Sequence, residues 1–237
     1  MGKSLIIKGA DFSQNGIVPD YIKLDWIGAS NAQNKYIPSG IMFGAGIGEL
    51  EDELEMCVSL DASKLNEGTT SASSCGAQKN TNAIIKAWIQ SSKVTLYFAS
   101  ASVNDSRSTV SKDVSVNLWD GNRHTIIINK TGGSIDGTAY SFDNTPDLDG
   151  LSTDIVANAQ IYLDSYSLTA SNGYNSVVNS DTEDALKIHC VKYRRNNTLI
   201  LDAIPVMRTD DDKVGFYDKV TGTYKFRNDD STPAYGA

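Results

Sequence analysis

A run of acidic residues, ELEDELE at residues 49–55, is the first candidate for chemistry. In an extended strand its four glutamates project from one face, and carboxylates on one strand face can supply the acid and nucleophile of a glycoside hydrolase. Residues two apart on a strand are separated by about 7 Å, whereas a retaining pair needs about 5–5.5 Å. Such a pair would need a local bulge, and the run contains no aromatic residue to stack on a sugar. We therefore favour a solvated strand face that discourages edge pairing.

Three consecutive aspartates, at residues 210–212, form a second acidic segment, and FDNTPDLDG at residues 142–150 is similarly rich in oxygen ligands. Calcium takes six to eight oxygen ligands, and neither segment has EF-hand spacing. The aspartates stand between the apolar runs IPV at residues 204–206 and VGFY at residues 214–217. This context predicts a solvated loop before a hairpin, with a bound calcium as the alternative.

The remaining reactive side chains do not form a recognisable catalytic motif. His124 and His189 fall in strand-like segments, and no G-x-S-x-G elbow accompanies them. The glycine-rich GAGIGEL at residues 44–50 is not followed by a helical pattern, which argues against a dinucleotide site. We predict no catalytic residue, no metal and no cofactor, and hence a protein that is not an enzyme.

Composition limits the partners of the chain. It has 237 residues, a net charge of −8 and a pI of about 4.7, so nucleic acid and anionic membrane surfaces should repel it. No apolar run approaches the roughly 18–20 residues that span a bilayer, and the N-terminus lacks a segment of secretory length. The cysteines Cys57, Cys75 and Cys190 cannot all pair with one another and match no zinc motif, which indicates reduced thiols in the cytosol.

The elements that must position these residues are predicted to be strands. Helical periodicity is nearly absent, and short runs rich in Val, Ile, Tyr, Phe and Thr alternate with turn residues. Residues 53–60 alternate between apolar and polar side chains. Three hairpins are predicted, at residues 83–90 with 93–100, 114–119 with 124–130, and 186–193 with 198–206. At least ten such strands predict an all-β fold, a two-sheet antiparallel β-sandwich of jelly-roll type.

Three motifs in chain order resemble the concanavalin A-like (LamG-like) jelly-roll modules of tail, fibre and decoration proteins of tailed bacteriophages and prophages. LDWIGASNAQNKYIPSGI at residues 24–41 stands in the place of the opening pattern Y-I-x-x-x-G-x-Q-Y-I-x-T-G-I. HTIIINKTGGSIDG at residues 124–137 matches the central strand and turn. LKIHCVKYRRNNTLILDAIPVMRTDDDKVGFYDKVTGTY at residues 186–224 matches the closing block, which is the most specific part. The opening departs from the pattern at residues 32–34.

The resemblance implies a concanavalin A-like jelly roll over residues 19–237 and an N-terminal docking segment over residues 1–18. It implies a virion structural protein, assembled in the host cytoplasm, that serves as a head fibre, tail fibre or decoration subunit. The docking segment is expected to contact other virion proteins, for example by adding a strand to a sheet edge. The side chains expected to dock are Leu5, Ile6, Ile7 and Phe12. We also expect a homo-oligomer.

The same resemblance implies adhesion to host-surface or mucosal glycans. Glycan sites combine aromatic platforms with polar acceptors, which makes two groups of residues candidates. These are Trp119 with Asp120, and Asn172, Tyr174 and Asn175 of the SNGYN segment. A carbohydrate-binding module of a bacterial surface system is the alternative function, and a hydrolase that uses residues 49–55 is the third hypothesis.

Overall fold

The computed structural model of the protein describes residues 20–30, 35–42, 52–68, 72, 76–80, 83–99, 107–129, 131–144, 160–164 and 180–237. The predicted docking segment at residues 1–18 lies outside these ranges. The described residues form strands joined by turns, with two short 3-10 turns at Ala62–Lys64 and Glu183–Ala185. The prediction of an all-β, antiparallel protein is confirmed. Within the described part of the chain, no helix is long and apolar enough to cross a membrane.

The strands, in chain order, are β1 (Tyr21–Lys23), β2 (Trp26–Gly28), β3 (Pro38–Met42), β4 (Glu53–Asp61), β5 (Gly76–Asn80), β6 (Ala83–Gln90), β7 (Lys93–Ala99), β8 (Arg107–Asp113), β9 (Asp120–Asn129), β10 (Gly132–Ile135), β11 (Thr138–Ser141), β12 (Gln160–Tyr162), β13 (Leu186–Arg195), β14 (Thr198–Arg208), β15 (Val214–Asp218), β16 (Thr223–Lys225) and β17 (Tyr235–Gly236). The larger sheet has the order β11-β10-β9-β4-β13-β14-β15-β16, with β1 paired to β14 and β2 paired to both β13 and β17. The smaller sheet has the order β3-β12-β5-β6-β7-β8.

Both sheets contribute side chains to one hydrophobic core. Met56, Ile126 and Ile188 come from the larger sheet, and Val94 and Ile161 come from the smaller sheet. Each of these side chains is at most 2% exposed. The predicted alternation along residues 53–60 is confirmed, because the apolar positions of β4 face this core.

Two of the three predicted hairpins are confirmed, β6 with β7 and β13 with β14. The hairpin predicted for residues 114–119 with 124–130 is wrong, because the strand before β9 is β8, which pairs with β7. The backbone N–H groups of Val114 and Leu118 donate to the carbonyls of Ser92 and Ser91, each at 2.8 Å. Residues 114–119 therefore cap the β6–β7 turn, and their alternating apolar side chains pack on the core without forming a strand.

A buried ion-pair network ties the C-terminal segment to the smaller sheet. Arg227 Nε donates to Asp164 Oδ2 at 3.0 Å, and its Nη1 donates to Glu183 Oε1 at 2.7 Å. The other oxygen of Asp164 accepts the Ile37 N–H at 2.6 Å, and Glu183 Oε2 accepts the Ala234 N–H at 2.9 Å. Burial raises the pKa of Asp164 to about 6, although Arg227 opposes this shift.

Candidate functional site

Of the acidic run at residues 49–55, the structure describes residues 52–55, and Glu53 and Glu55 lie on the central strand β4. β4 stands between β9 and β13, so for the described residues of the run the interpretation as a solvated face that discourages edge pairing is wrong. Glu55 is 8% exposed and accepts hydrogen bonds from Lys192 Nζ at 2.6 Å and Arg194 Nη1 at 2.9 Å. Burial would raise the pKa of Glu55, but these hydrogen bonds outweigh it and lower the pKa. The described glutamates of the run, Glu53 and Glu55, are thus occupied by cross-strand ion pairs.

His124 fastens the start of β9 to the β10–β11 hairpin. Its Nδ1 lies 2.8 Å from Asp136 Oδ2 and its Nε2 lies 3.1 Å from Asp120 Oδ1. Burial would lower the pKa of His124, but the two carboxylates outweigh burial and raise it. The side chain is 8% exposed, so this histidine acts as a structural link between strands.

The structure also brings together a serine, a histidine and an aspartate that are far apart in the sequence. Ser59 Oγ lies 3.0 Å from His189 Nε2, and His189 Nδ1 lies 2.8 Å from the Asp25 backbone carbonyl. Because a carbonyl can only accept, Nδ1 carries the proton and Nε2 accepts from the Ser59 hydroxyl. Burial lowers the pKa of His189, which keeps the ring neutral at pH 7.

This arrangement shares the serine–imidazole contact of serine hydrolases but lacks their hydrogen bond between the imidazole and a carboxylate. The Asp25 carboxylate lies 3.7 Å from His189 Nδ1 and is paired with Arg123 Nη2 at 2.6 Å, so a backbone carbonyl orients the imidazole. Ser59 is 8% exposed in the middle of a central strand. The contacts satisfy the hydrogen bonds of buried polar side chains and leave the serine poorly accessible to a substrate.

The sequence-predicted glycan residues fall into two groups. Trp119 packs partly buried against the core and donates its indole N–H to the Ile89 carbonyl at 3.3 Å. The Asp120 carboxylate accepts hydrogen bonds from the Asn122 backbone N–H and side-chain Nδ2, each at 2.8 Å. The other glycan candidates and the docking side chains lie outside the described residues; these are Asn172, Tyr174, Asn175, Leu5, Ile6, Ile7 and Phe12.

A shallow cleft lies where β15 and β16 meet the C-terminal segment. Its lining consists of Lys213, Val214, Phe226, Asp230, Ser231 and Thr232, and we call it the closing-hairpin cleft. The lining combines one aromatic ring with an ammonium group, a carboxylate and two hydroxyl groups. An aromatic surface beside a few hydrogen-bonding groups is the general composition of small-molecule sites, and the enclosed volume of this cleft is only about 10 Å³.

Phe226, the one aromatic residue of the lining, ends a row of aromatic rings that follows from the pleat of β15 and β16. Tyr217 and Tyr224 are register partners with ring centroids 5.3 Å apart, and Phe226 continues on the same face with its ring within 8° of parallel to Tyr224. A Cβ at Gly215 would lie 2.7 Å from Phe226 Cδ1 and 2.2 Å from the Lys225 carbonyl oxygen. Only glycine at this position lets the Phe226 ring lie over β15.

The three consecutive aspartates form the turn beside this row of aromatic rings. The Arg208 guanidinium lies 5.5 Å from the Tyr224 ring centroid and 5.0 Å from that of Phe226. Its Nε is 2.7 Å from Asp210 Oδ1 and 3.0 Å from Asp211 Oδ1, and the hydrogen bond from Arg208 lowers the pKa of Asp211 to about 2. The prediction of a solvated loop is confirmed, and the part of the chain that the structure describes contains no cluster of His, Cys, Asp or Glu able to hold a metal.

The polar side of the cleft is open to solvent. Lys213 Nζ lies 2.9 Å from Asp230 Oδ1 and 5.8 Å from the centroid of Phe226. The two charged side chains are 43% and 76% exposed, so a ligand hydroxyl can reach both without prior unfolding of the loop. The sequence signal for the site was present in TYKFR, whose alternate aromatics occupy the outer face of an edge strand. The alternation by itself indicates a strand and does not distinguish a binding surface from the fold pattern.

A scan against protein-family models and a search of curated proteins each find no match for this chain.

Proposed function

We propose that the protein is a structural subunit of a bacteriophage particle, a head fibre, tail fibre or decoration protein, built on a concanavalin A-like jelly-roll sandwich. The observation that carries the proposal is the course of the closing block, residues 186–224, which was the specific part of the resemblance. It folds into β13, β14, β15 and β16, four consecutive neighbours in the larger sheet. A single core shared by the two sheets also supports the sandwich.

We further propose that the subunit adheres to host-surface or mucosal glycans through the closing-hairpin cleft. Phe226 supplies an aromatic contact for which a sugar ring competes with the nearby Arg208 and Lys213 side chains. Asp230 and Lys213 supply an acceptor and a donor for sugar hydroxyls. Lys213 directly precedes β15, Phe226 directly follows β16, and Asp230 lies on the loop after it, so the two strands pre-position the aromatic ring. The cleft holds no activated nucleophile, which fits binding rather than cleavage.

Docking to the particle is assigned to residues 1–18, through Leu5, Ile6, Ile7 and Phe12, with other virion proteins as partners. Assembly takes place in the host cytoplasm, and repeated copies form a homo-oligomer. Mass spectrometry of purified particles tests the location. The proposal expects this polypeptide in many copies per particle, and its absence from infectious particles would overturn it.

Glycan binding is tested separately with the purified full chain on an array of bacterial-surface and mucosal glycans. Phe226→Ala should weaken binding to any glycan that scores by roughly tenfold or more, as expected for loss of a central aromatic contact. Asp230→Ala should also weaken binding while leaving the core untouched. Tyr235→Ala is the matched control, because it removes an aromatic side chain that is 47% exposed and lies on β17.

The outcomes separate the two parts of the proposal. Equal binding by Phe226→Ala, Asp230→Ala and Tyr235→Ala would remove the closing-hairpin cleft as the glycan site. Binding through the cleft by a protein that is absent from particles would favour the alternative, a carbohydrate-binding module of a bacterial surface system.

A further inference from the structure

Two of the three cysteines face each other across the centre of the larger sheet. Cys57 on β4 and Cys190 on β13 are register partners, and their thiols are hydrogen-bonded to each other. Directly opposite residues of an antiparallel pair have Cα atoms about 4.5–5.5 Å apart, within the range of about 4.4–6.8 Å that a disulfide spans. The backbone therefore needs no rearrangement to bring the two sulfur atoms together.

A β-bulge creates this juxtaposition. The register shifts between Ile188 and Cys190, so His189 is the extra residue and Cys190 moves opposite Cys57. Without the shift, Cys190 would share the core face with Ile188 and could not meet Cys57. The sequence contains a signal of the bulge. Buried residues alternate with more exposed ones along β13, and the alternation shifts by one residue between Leu186 and Ile188 on one side and Val191 and Tyr193 on the other.

The surroundings give the two thiols different roles. The hydrogen bond from Cys190 outweighs burial and lowers the pKa of Cys57 to about 7, with help from Thr125 and Arg123. The hydrogen bond to Cys57 and burial raise the pKa of Cys190. Both residues are partly exposed, so a small reagent can reach them. Cys57 is thus the attacking thiolate and Cys190 the resolving thiol.

We propose that Cys57 and Cys190 form a reversible cross-strand disulfide, with a small-molecule disulfide such as oxidised glutathione as the oxidant. The Cys57 thiolate attacks one sulfur of the oxidant, which forms a mixed disulfide and expels one glutathione thiolate. Cys190 then loses its proton to water and attacks Cys57 Sγ, which forms the protein disulfide and expels the second glutathione thiolate. Two protein thiols are oxidised, and one disulfide is reduced to two thiols.

The link joins two adjacent central strands that are distant in the sequence. It restricts the unfolded chain over the long segment between residues 57 and 190 while leaving the native register unchanged. We expect a melting temperature roughly 5–15 °C higher in the oxidised protein than in the reduced protein. The site acts as a redox-controlled link in the larger sheet.

The test uses the reduced full chain, incubated with oxidised glutathione and then mapped by mass spectrometry without reduction. The wild-type protein should yield a peptide pair joined through Cys57 and Cys190, and the Cys75→Ser variant should yield the same pair. Cys190→Ser should instead retain glutathione on Cys57, because the resolving thiol is missing. Cys57→Ser should leave Cys190 largely unmodified.

A wild-type protein that melts cooperatively yet keeps both thiols free after this treatment would overturn the proposal. So would oxidation that joins Cys75 to either partner in preference to the cross-strand pair. The wild-type measurements need no variant, so a folding defect in a serine variant does not affect them.

Discussion

Replacing Arg227 with methionine should destabilise the fold at pH 8 by about 3–5 kcal/mol, the usual result of removing one partner from a buried ion pair. The side chains of Arg227 and Asp164 are both 0% exposed, so no water can take over the role of the lost guanidinium. Methionine retains most of the buried volume, and the cavity contribution stays small. The fold is destabilised because the buried Asp164 carboxylate keeps the hydrogen bond from the Ile37 N–H but loses the Arg227 guanidinium.

The charge on Asp164 gives this prediction a pH dependence. Burial already raises the pKa of Asp164 to about 6 in the presence of Arg227, and removal of Arg227 should raise it further. A carboxyl group whose pKa is raised on folding favours the folded state at low pH and loses that contribution as pH rises. The loss of unfolding free energy in Arg227→Met should therefore be small at pH 5 and large at pH 8. The double variant Arg227→Met/Asp164→Asn should recover part of the loss at pH 8.

Urea unfolding at the two pH values measures these differences. Lys112→Met is the matched control, because it breaks a 2.6 Å ion pair with Asp143 whose side chains are 35% and 69% exposed. Exposed pairs contribute about 0–1 kcal/mol. A cost for Arg227→Met no larger than that of Lys112→Met, or one that is equal at pH 5 and pH 8, would refute the role given to the buried network.

Three further changes test other parts of the structure. His124→Gln should make the free energy of unfolding less dependent on pH between pH 6 and 8. Because the pKa of His124 is raised on folding, the protonated ring stabilises the fold below about pH 6.5, and this contribution is lost as pH rises through the folded-state pKa. Denaturant titration at several pH values would detect the difference. Gly215→Ala should destabilise by about 2–4 kcal/mol, since its Cβ would lie 2.2 Å from the Lys225 carbonyl; an unchanged melting temperature would contradict the close approach of β15 and β16. Glu55→Gln should cost about 1–3 kcal/mol in urea unfolding, because two charge-assisted hydrogen bonds to β13 weaken, and a neutral effect would contradict their role.

The residue types in the turns explain why part of the fold can be predicted from the sequence. The β13–β14 hairpin turns at Asn196 and Asn197, whose φ angles of 47° and 60° suit asparagine in a two-residue turn. The strands on either side also alternate strongly. By contrast, residues 114–119 alternate like a strand but give their backbone hydrogen bonds to the β6–β7 turn, a tertiary contact that the local pattern does not encode.

The candidate sites depend on register: the change of apolar phase along β13 marks the bulge in the sequence, but it does not say which strand pairs with β13. The bulge at His189 decides which thiol faces Cys57, and a shift of one residue would place Cys190 on the opposite face. The pairing of Glu55 with Lys192 likewise follows from the neighbouring positions of β4 and β13. The closing-hairpin cleft requires Phe226, the residue after β16, to lie over Gly215 of β15, a contact that only the three-dimensional structure reveals.

A density map of the intact particle by electron cryo-microscopy tests the proposed function most directly. The account predicts many copies of this all-β chain on the outer surface, with residues 1–18 against another virion protein and the closing-hairpin cleft facing outward. A particle that lacks the chain would contradict the proposed function. A particle that holds the chain with Phe226 and Asp230 buried against the shell would contradict the assignment of the cleft as its adhesive surface.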